Sequence, residues 1–160
     1  MPAPDFVLAL REKVGKSALW LSGVTAVVVK DDEILMVRRA DSGEWAPVTG
    51  IIDPGEEPSE AAVREVREEA DVDAIVEHLA WVHVTEMYVY PNGDRSQYID
   101  IVFRLRWTGG NPHPADGENL EARWFSRSDL PTLSGDMRRR VEVALDPRAE
   151  AGFGPLPGSL

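Results

Sequence analysis

Cysteine is missing from the chain altogether. Its absence excludes a disulfide framework, a thiolate metal site and a cysteine nucleophile. Long apolar runs are missing too, and none approaches the roughly 20 residues of a membrane-spanning helix. The first residues show no basic stretch followed by an apolar core, so no signal peptide is expected and the expected address is cytoplasmic. Positive charge is scarce. Lys and Arg number 17 against 28 Asp and Glu, for a formal net charge of −11. So acidic a chain is not expected to bind a nucleic-acid polymer nonspecifically, because phosphate binding needs a basic face. A small phosphorylated ligand stays open, provided a divalent cation bridges the like charges.

What is present fits one domain with a real core: 160 residues, 43% hydrophobic and 28% charged. The acid is unevenly spread. Residues 53–73 hold nine acids against Arg64 and Arg67, so that stretch alone supplies −7.

Apolar spacing at Phe6, Val7, Leu10 and Val14 predicts a helix that Gly15 stops. "VTAVVVK" and "ILMVRR" predict two strands joined by the turn "DDE". Residues 40–58 are rich in Gly, Pro and Asp and are expected to be mostly loop. Pro58 suits a first helical turn, and helical spacing continues to Ala70. Residues 73–90 predict strand, "PNGD" a tight hairpin, and "QYIDIVFRLRW" its partner strand. A long loop over 108–119, a short strand "LEARWF", a capped turn and a final helix over 135–145 follow. The Pro- and Gly-rich residues 147–160 are expected to be loosely held. Strands dominating over a few helices predict an α+β fold, with a mixed sheet and helices packed on it.

The acid-rich helix raises the question of function. At about 100° per residue, Glu65, Glu68 and Glu69 share an arc of about 100°, with Ala62, Val66, Ala70 and Val63 directly beside it. The carboxylates thus border the buried face instead of pointing away from it. Like charges so placed repel, and near apolar surface one tends to take up a proton. A hard divalent cation removes the conflict, and clustered carboxylate oxygens suit Mg²⁺ or Mn²⁺. The Gly- and Pro-shaped turn at residues 50–56 feeds a further carboxylate, Glu56, to the helix start. A solvated acidic helix face is the plain alternative, and Glu60 with Arg64 makes an ordinary i,i+4 pair.

Gly50, five residues, Glu56, seven residues, then Arg64-Glu65-Val66-Arg67-Glu68-Glu69-Ala70-Asp71-Val72 resembles the Nudix box. Only Asp71 departs from the pattern, which has glycine there; an aspartate can still adopt the left-handed turn at modest cost. The resemblance implies a Nudix-type α/β/α sandwich with a mixed β-sheet over residues 20–146. Residues 1–19 would be an N-terminal helical extension and 147–160 a tail. It implies hydrolysis of a nucleoside diphosphate linked to another moiety, with Mg²⁺ or Mn²⁺. Glu68 and Glu69 would be metal ligands, Glu65 a ligand or an aid to deprotonating water, and Glu56 an outer contact or a further metal's ligand. Arg64 would orient the glutamates, and the main-chain carbonyl of Thr49 or Gly50 would complete the coordination. Outside the box, Glu118 is the chosen base over Asp116 and Glu121. Arg38 and Arg39 end the second strand, where one faces the phosphates and the other solvent. Tyr88 and Tyr90 are the candidate base-stacking residues, with Trp45, Trp81 and Trp124 expected mainly to pack. His78, His83 and His113 show no ligand spacing.

Substrate signals diverge. Met87 stands where relatives acting on ADP-ribose carry proline, and Tyr88 and Tyr90 stand where dinucleoside polyphosphate hydrolases carry tyrosine. A nucleoside triphosphate, including clearance of damaged nucleotides, is the first expectation. ADP-ribose, nucleotide-sugar and dinucleoside polyphosphate hydrolysis are the alternatives, as is a nucleotide-sensing module without catalysis. The N-terminal helix is a candidate surface for a homodimer.

Overall fold

A computed structural model describes residues 3–147 and 150–155. Helix α1 spans Asp5–Val14, and Gly15 ends it at φ 60°. Strand β1 (Leu19–Lys30) turns through Asp31 and Asp32 into β2 (Glu33–Arg39). Two short strands follow, β3 (Trp45–Ala46) and β4 (Val48–Ile51), where a loop was expected. They form because β4 pairs with residues 23–26 in the middle of β1 and β3 with the end of β2. Within that Gly- and Pro-rich stretch, residues 40–44, Pro47 and residues 52–57 stay irregular.

Helix α2 (Pro58–Ala70) has Pro58 in its first turn, where no helical N–H bond is lost. It ends at Asp71, which takes φ 51° and ψ 41°, the left-handed geometry that glycine usually supplies. Strand β5 (Val72–Val84) stops earlier than the sequence pattern predicts, and β6 (Tyr88–Val89) forms the hairpin with β7 (Arg95–Gly110). Strand β7 runs to Gly110, so the loop after it is shorter than expected. Strand β8 (Asn119–Ser126) and helix α3 (Gly135–Leu145) complete the domain. Ser134 caps α3, its hydroxyl accepting from the Met137 N–H.

Nine strands among the described residues form one sheet, with β3-β2-β1-β7-β5-β9 as its spine. The sheet is mixed: β1 runs parallel to β7, while β5 runs antiparallel to it. Side chains alternate across it. Val24, Ala26 and Val28 of β1 meet Ala61, Ala62, Val66 and Ala70 of α2 on one face. Val27 and Val29 meet Val141, Ala144 and Leu145 of α3 on the other. On that same face Val7 of α1 packs with Leu21 and Tyr98. The result is an α/β/α sandwich.

Helix α3 is also docked by charge. Arg140 is 2% exposed and donates to Thr25 Oγ1 (2.9 Å), Asp136 Oδ2 (2.5 Å) and the Tyr88 hydroxyl (3.2 Å). Asp100 lies 3.4 Å away and bonds His83, whose ring stacks on Trp81 at 3.6 Å between centroids. The tail is partly tied down. Strand β9 (Gly152–Phe153) pairs parallel with Trp81 and Val82, and the Trp81 Nε1–H donates to the Gly154 carbonyl at 3.0 Å. Residues 148–149 and 156–160 lie outside the described residues. Among the described residues no helix is long and apolar enough to cross a membrane.

A left-handed aspartate costs more than glycine in that turn, by up to about 1 kcal/mol. Asp71→Gly is therefore expected to raise the urea midpoint, despite losing weak pairs to Arg67 (3.6 Å) and His113 (3.8 Å).

Candidate active site

The site begins with a missing side chain. Gly50 on β4 faces α2, and a methyl group there would overlap the carboxylate of Glu65 outright. Glycine thus lets the strand and the helix approach until Glu65 is wholly buried.

Arg64 sits next to it and gathers the acids. Its Nε and Nη2 fork onto Glu56 at 2.7 and 2.9 Å. Its Nη1 reaches Glu65 Oε1 at 2.9 Å and Glu68 Oε2 at 3.1 Å, and Nη2 also donates to the Ile51 carbonyl at 3.2 Å. The fork holds the Glu56 carboxyl below the usual range, helped by the Asp53 N–H. The same carboxylates keep the Arg64 guanidinium firmly charged.

Glu65 and Glu69 are the strained members. Burial pushes Glu65 up to about 7 against the pull of Arg64, with Glu68 and Glu118 adding repulsion. Glu65 Oε2 is buried with no hydrogen-bond partner. Burial pushes Glu69, 3% exposed, up to about 8. Its one resolved opposing contact is the Asn119 amide, which donates to Oε2 at 2.9 Å, while Glu65, Glu118 and Asp116 repel it. Glu68 is exposed. Among the described residues no three carboxylates or histidines converge into a ready-made cation cage.

The loop after β7 closes the end of α2. The His113 and Ala115 N–H groups donate to the Ala70 and Glu69 carbonyls at 3.1 and 3.2 Å, filling acceptors that a helix end leaves open. This docking sets half-buried Glu118 within electrostatic reach of Glu65 and Glu69. Burial raises the Glu118 carboxyl in turn, against Arg39.

The remaining residues divide. Arg39 forks onto Asp41 at 3.0 and 2.7 Å and feels Glu69 and Glu118. Arg38, on the opposite side of the strand, pairs with Glu121 at 3.1 Å. Tyr88 and Tyr90 are half-buried, and their hydroxyls bond Arg140 and Tyr98 (3.2 and 2.7 Å). Trp124 packs against the α2 core and Trp81 against the α3 core. Trp45 meets Phe125 edge-on at 4.9 Å. Asn119 is the residue that sequence reasoning missed; its one visible signal is its place beside Glu118.

The raised carboxyls give a sign to the pH dependence. Below about 4.5, the ordinary value, Glu65 and Glu69 are protonated whether folded or not. Above it the unfolded chain releases protons that the fold retains, so stability falls as pH rises through about 7 to 8. Thermal melts in chelator should show this decline between pH 5 and 8.5, and Glu65→Gln should flatten it.

Comparison with known proteins agrees with the sandwich fold. The family model for the NUDIX domain matches residues 20–144. The chain is 34% identical over 137 residues to the 8-oxo-dGDP phosphatase NUDT18 of Homo sapiens, covering 80% of this chain and 40% of that protein. It is 32% identical over 123 residues to the ADP-ribose pyrophosphatase of Methanocaldococcus jannaschii, covering 74% of this chain and 69% of that one. The crystal structure of a UDP-X diphosphatase superposes with a TM-score of 0.68 at 22% identity, over 94% of this chain and 74% of that one. This chain spans less than half the length of the human relative. With the box, the sandwich and the family match in agreement, the chain belongs to the Nudix family.

Proposed function

We propose that the protein hydrolyses the pyrophosphate linkage of a nucleoside diphosphate joined to a second moiety. One observation carries the reading: Glu65, buried against Gly50 with an unpartnered Oε2, stands beside Glu68, Glu69 and Glu118 in a frame that Arg64 fixes. Two neighbouring carboxylates held above their ordinary range and one orphan oxygen fit a divalent cation that keeps waters and shares substrate phosphates. Glu65, Glu68 and Glu69, with the Gly50 carbonyl, would hold Mg²⁺ or Mn²⁺, which when bound acidifies water and offsets phosphate charge.

The chain's own residues supply the rest. Arg64 orients Glu65 and Glu68 and stays charged while they do so. Glu118, with its raised carboxyl, takes the proton of the attacking water. Oxygen bonds to phosphorus, the bridging P–O bond breaks, and the second phosphate leaves. Arg39, drawn to Glu69 and Glu118 by charge, contacts the phosphates. Glu56 supports Arg64.

The printed substrates of two relatives, 8-oxo-dGDP and ADP-ribose, share a nucleoside diphosphate core and support the diphosphate reading. A nucleoside triphosphate, the first expectation from sequence, is the second reading. Retention of Glu56, Glu65, Glu68 and Glu69 favours an enzyme over a sensing module.

Release of phosphate, pyrophosphate and nucleoside monophosphate should be followed across nucleoside diphosphates, nucleotide sugars, dinucleotides and triphosphates with Mg²⁺ and with Mn²⁺. Turnover of a diphosphate compound is expected. Glu68→Gln should lower turnover by orders of magnitude with the fold intact, and full activity in that variant at saturating Mg²⁺ would sink the assignment. Gly50→Ala should displace Glu65 and cost about 10²-fold in kcat, the usual effect of a misplacement near 1 Å.

A further inference from the structure

A cleft of about 390 Å³ opens between the box and the first turn of α1. Its floor is Arg64, Glu65 and Glu68. Its facing wall is Pro4, Asp5 and Phe6, which precede the region that the family model matches. That wall is firmly seated. Val7 is 5% exposed against Leu21 and Tyr98. Arg11 donates to the Arg95 carbonyl at 2.7 Å and to Ser96 Oγ at 3.1 Å, and Lys16 donates to the Asn92 carbonyl at 2.6 Å. Glu65, buried with one unpartnered oxygen, lines the cleft beside Arg64 and Glu68, so the cleft adjoins the proposed cation and phosphate site.

We propose that the first turn of α1 receives and selects the moiety attached to the diphosphate, with Phe6 as its apolar face and Asp5 as its hydrogen-bond acceptor. This rests on the pyrophosphohydrolase reading above. Phe6 joins Pro4, Ile51 and Pro54 in offering apolar surface to one face of a ring. Asp5 and Asp53 are exposed carboxylates on the same cleft. They accept from hydroxyl or amino groups and repel phosphate. Asp5 also offsets the positive end of α1, so the helix start makes a poor anion site. The matching group is a neutral ring rich in hydrogen donors, a sugar or a nucleobase, and not a further phosphate.

Steady-state kinetics with Mg²⁺ test this in wild type, Phe6→Ala, Asp5→Asn and Asp5→Lys, on nucleoside diphosphates, nucleotide sugars of several sugars and bases, and triphosphates. Leu8→Ala, on α1 but outside the cleft lining, is the control. Phe6→Ala is expected to raise KM for the preferred compound about tenfold with a smaller change in kcat, a typical loss for one aromatic contact. Asp5→Lys is expected to move the ranking toward triphosphates, and Leu8→Ala to leave it alone. A KM change confined to sugar conjugates identifies the ring as the sugar; one shared by all compounds of one base identifies the base. Asp5 is exposed, so its variants carry the test if Phe6→Ala melts. An active wild type whose KM and ranking survive every α1 substitution overturns the inference. A wild type that turns over nothing overturns the hydrolase reading itself, and this inference with it.

Discussion

One guanidinium organises the site. All five N–H donors of Arg64 are used, on Glu56, Glu65, Glu68 and the Ile51 carbonyl. Those bonds tie the end of β4, the turn after it and two turns of α2 into one rigid piece. A lysine could supply the charge but not the fork, because its three donors radiate from a point. The arrangement explains how so acidic a segment folds at all: the acids that would otherwise repel share one cation within the chain.

Arg64 does not reach every acid. Glu69 has Asn119 as its resolved hydrogen-bond partner, and Glu65 keeps one oxygen unpartnered, although both are buried. A fold optimised for stability alone would bury neither carboxyl in this state. Local rules broken at one place, and satisfied around it, are the mark of a working site. The surroundings are well satisfied here: the strands alternate cleanly between the two cores, α3 is capped, and a backbone loop fills the carbonyls at the end of α2.

The box was legible because its chemistry is written in local spacing. Glu65 and Glu69 follow from one helix turn, and the bounds Pro58 and Ala70 follow from turn residues and periodicity. Even the departure at Asp71 could be read, since an aspartate tolerates the left-handed turn. The wheel still underrated burial: Ala61 lies between Glu65 and Glu68 on it and is fully buried, so the carboxylate arc is itself partly core. What the sequence hid was long-range. Asn119 meets Glu69 across 50 residues, Arg140 meets Thr25 across 115, and Phe6 comes to face Glu65 only through the packing of α1 on the sheet. β3, β4 and β9 are two to four residues long and exist through their partners, not their own propensity.

The loop that carries Glu118 also caps the last turn of α2. Two functions that look separate therefore share one set of hydrogen bonds. If the loop lifts, the carbonyls of Glu69 and Ala70 lose their partners, and the turn that holds Glu69 loosens with it. The proposed base and a proposed metal ligand thus belong to a single unit of local unfolding, so a fluctuation there removes both together, while Arg64 keeps Glu65 and Glu68 in place.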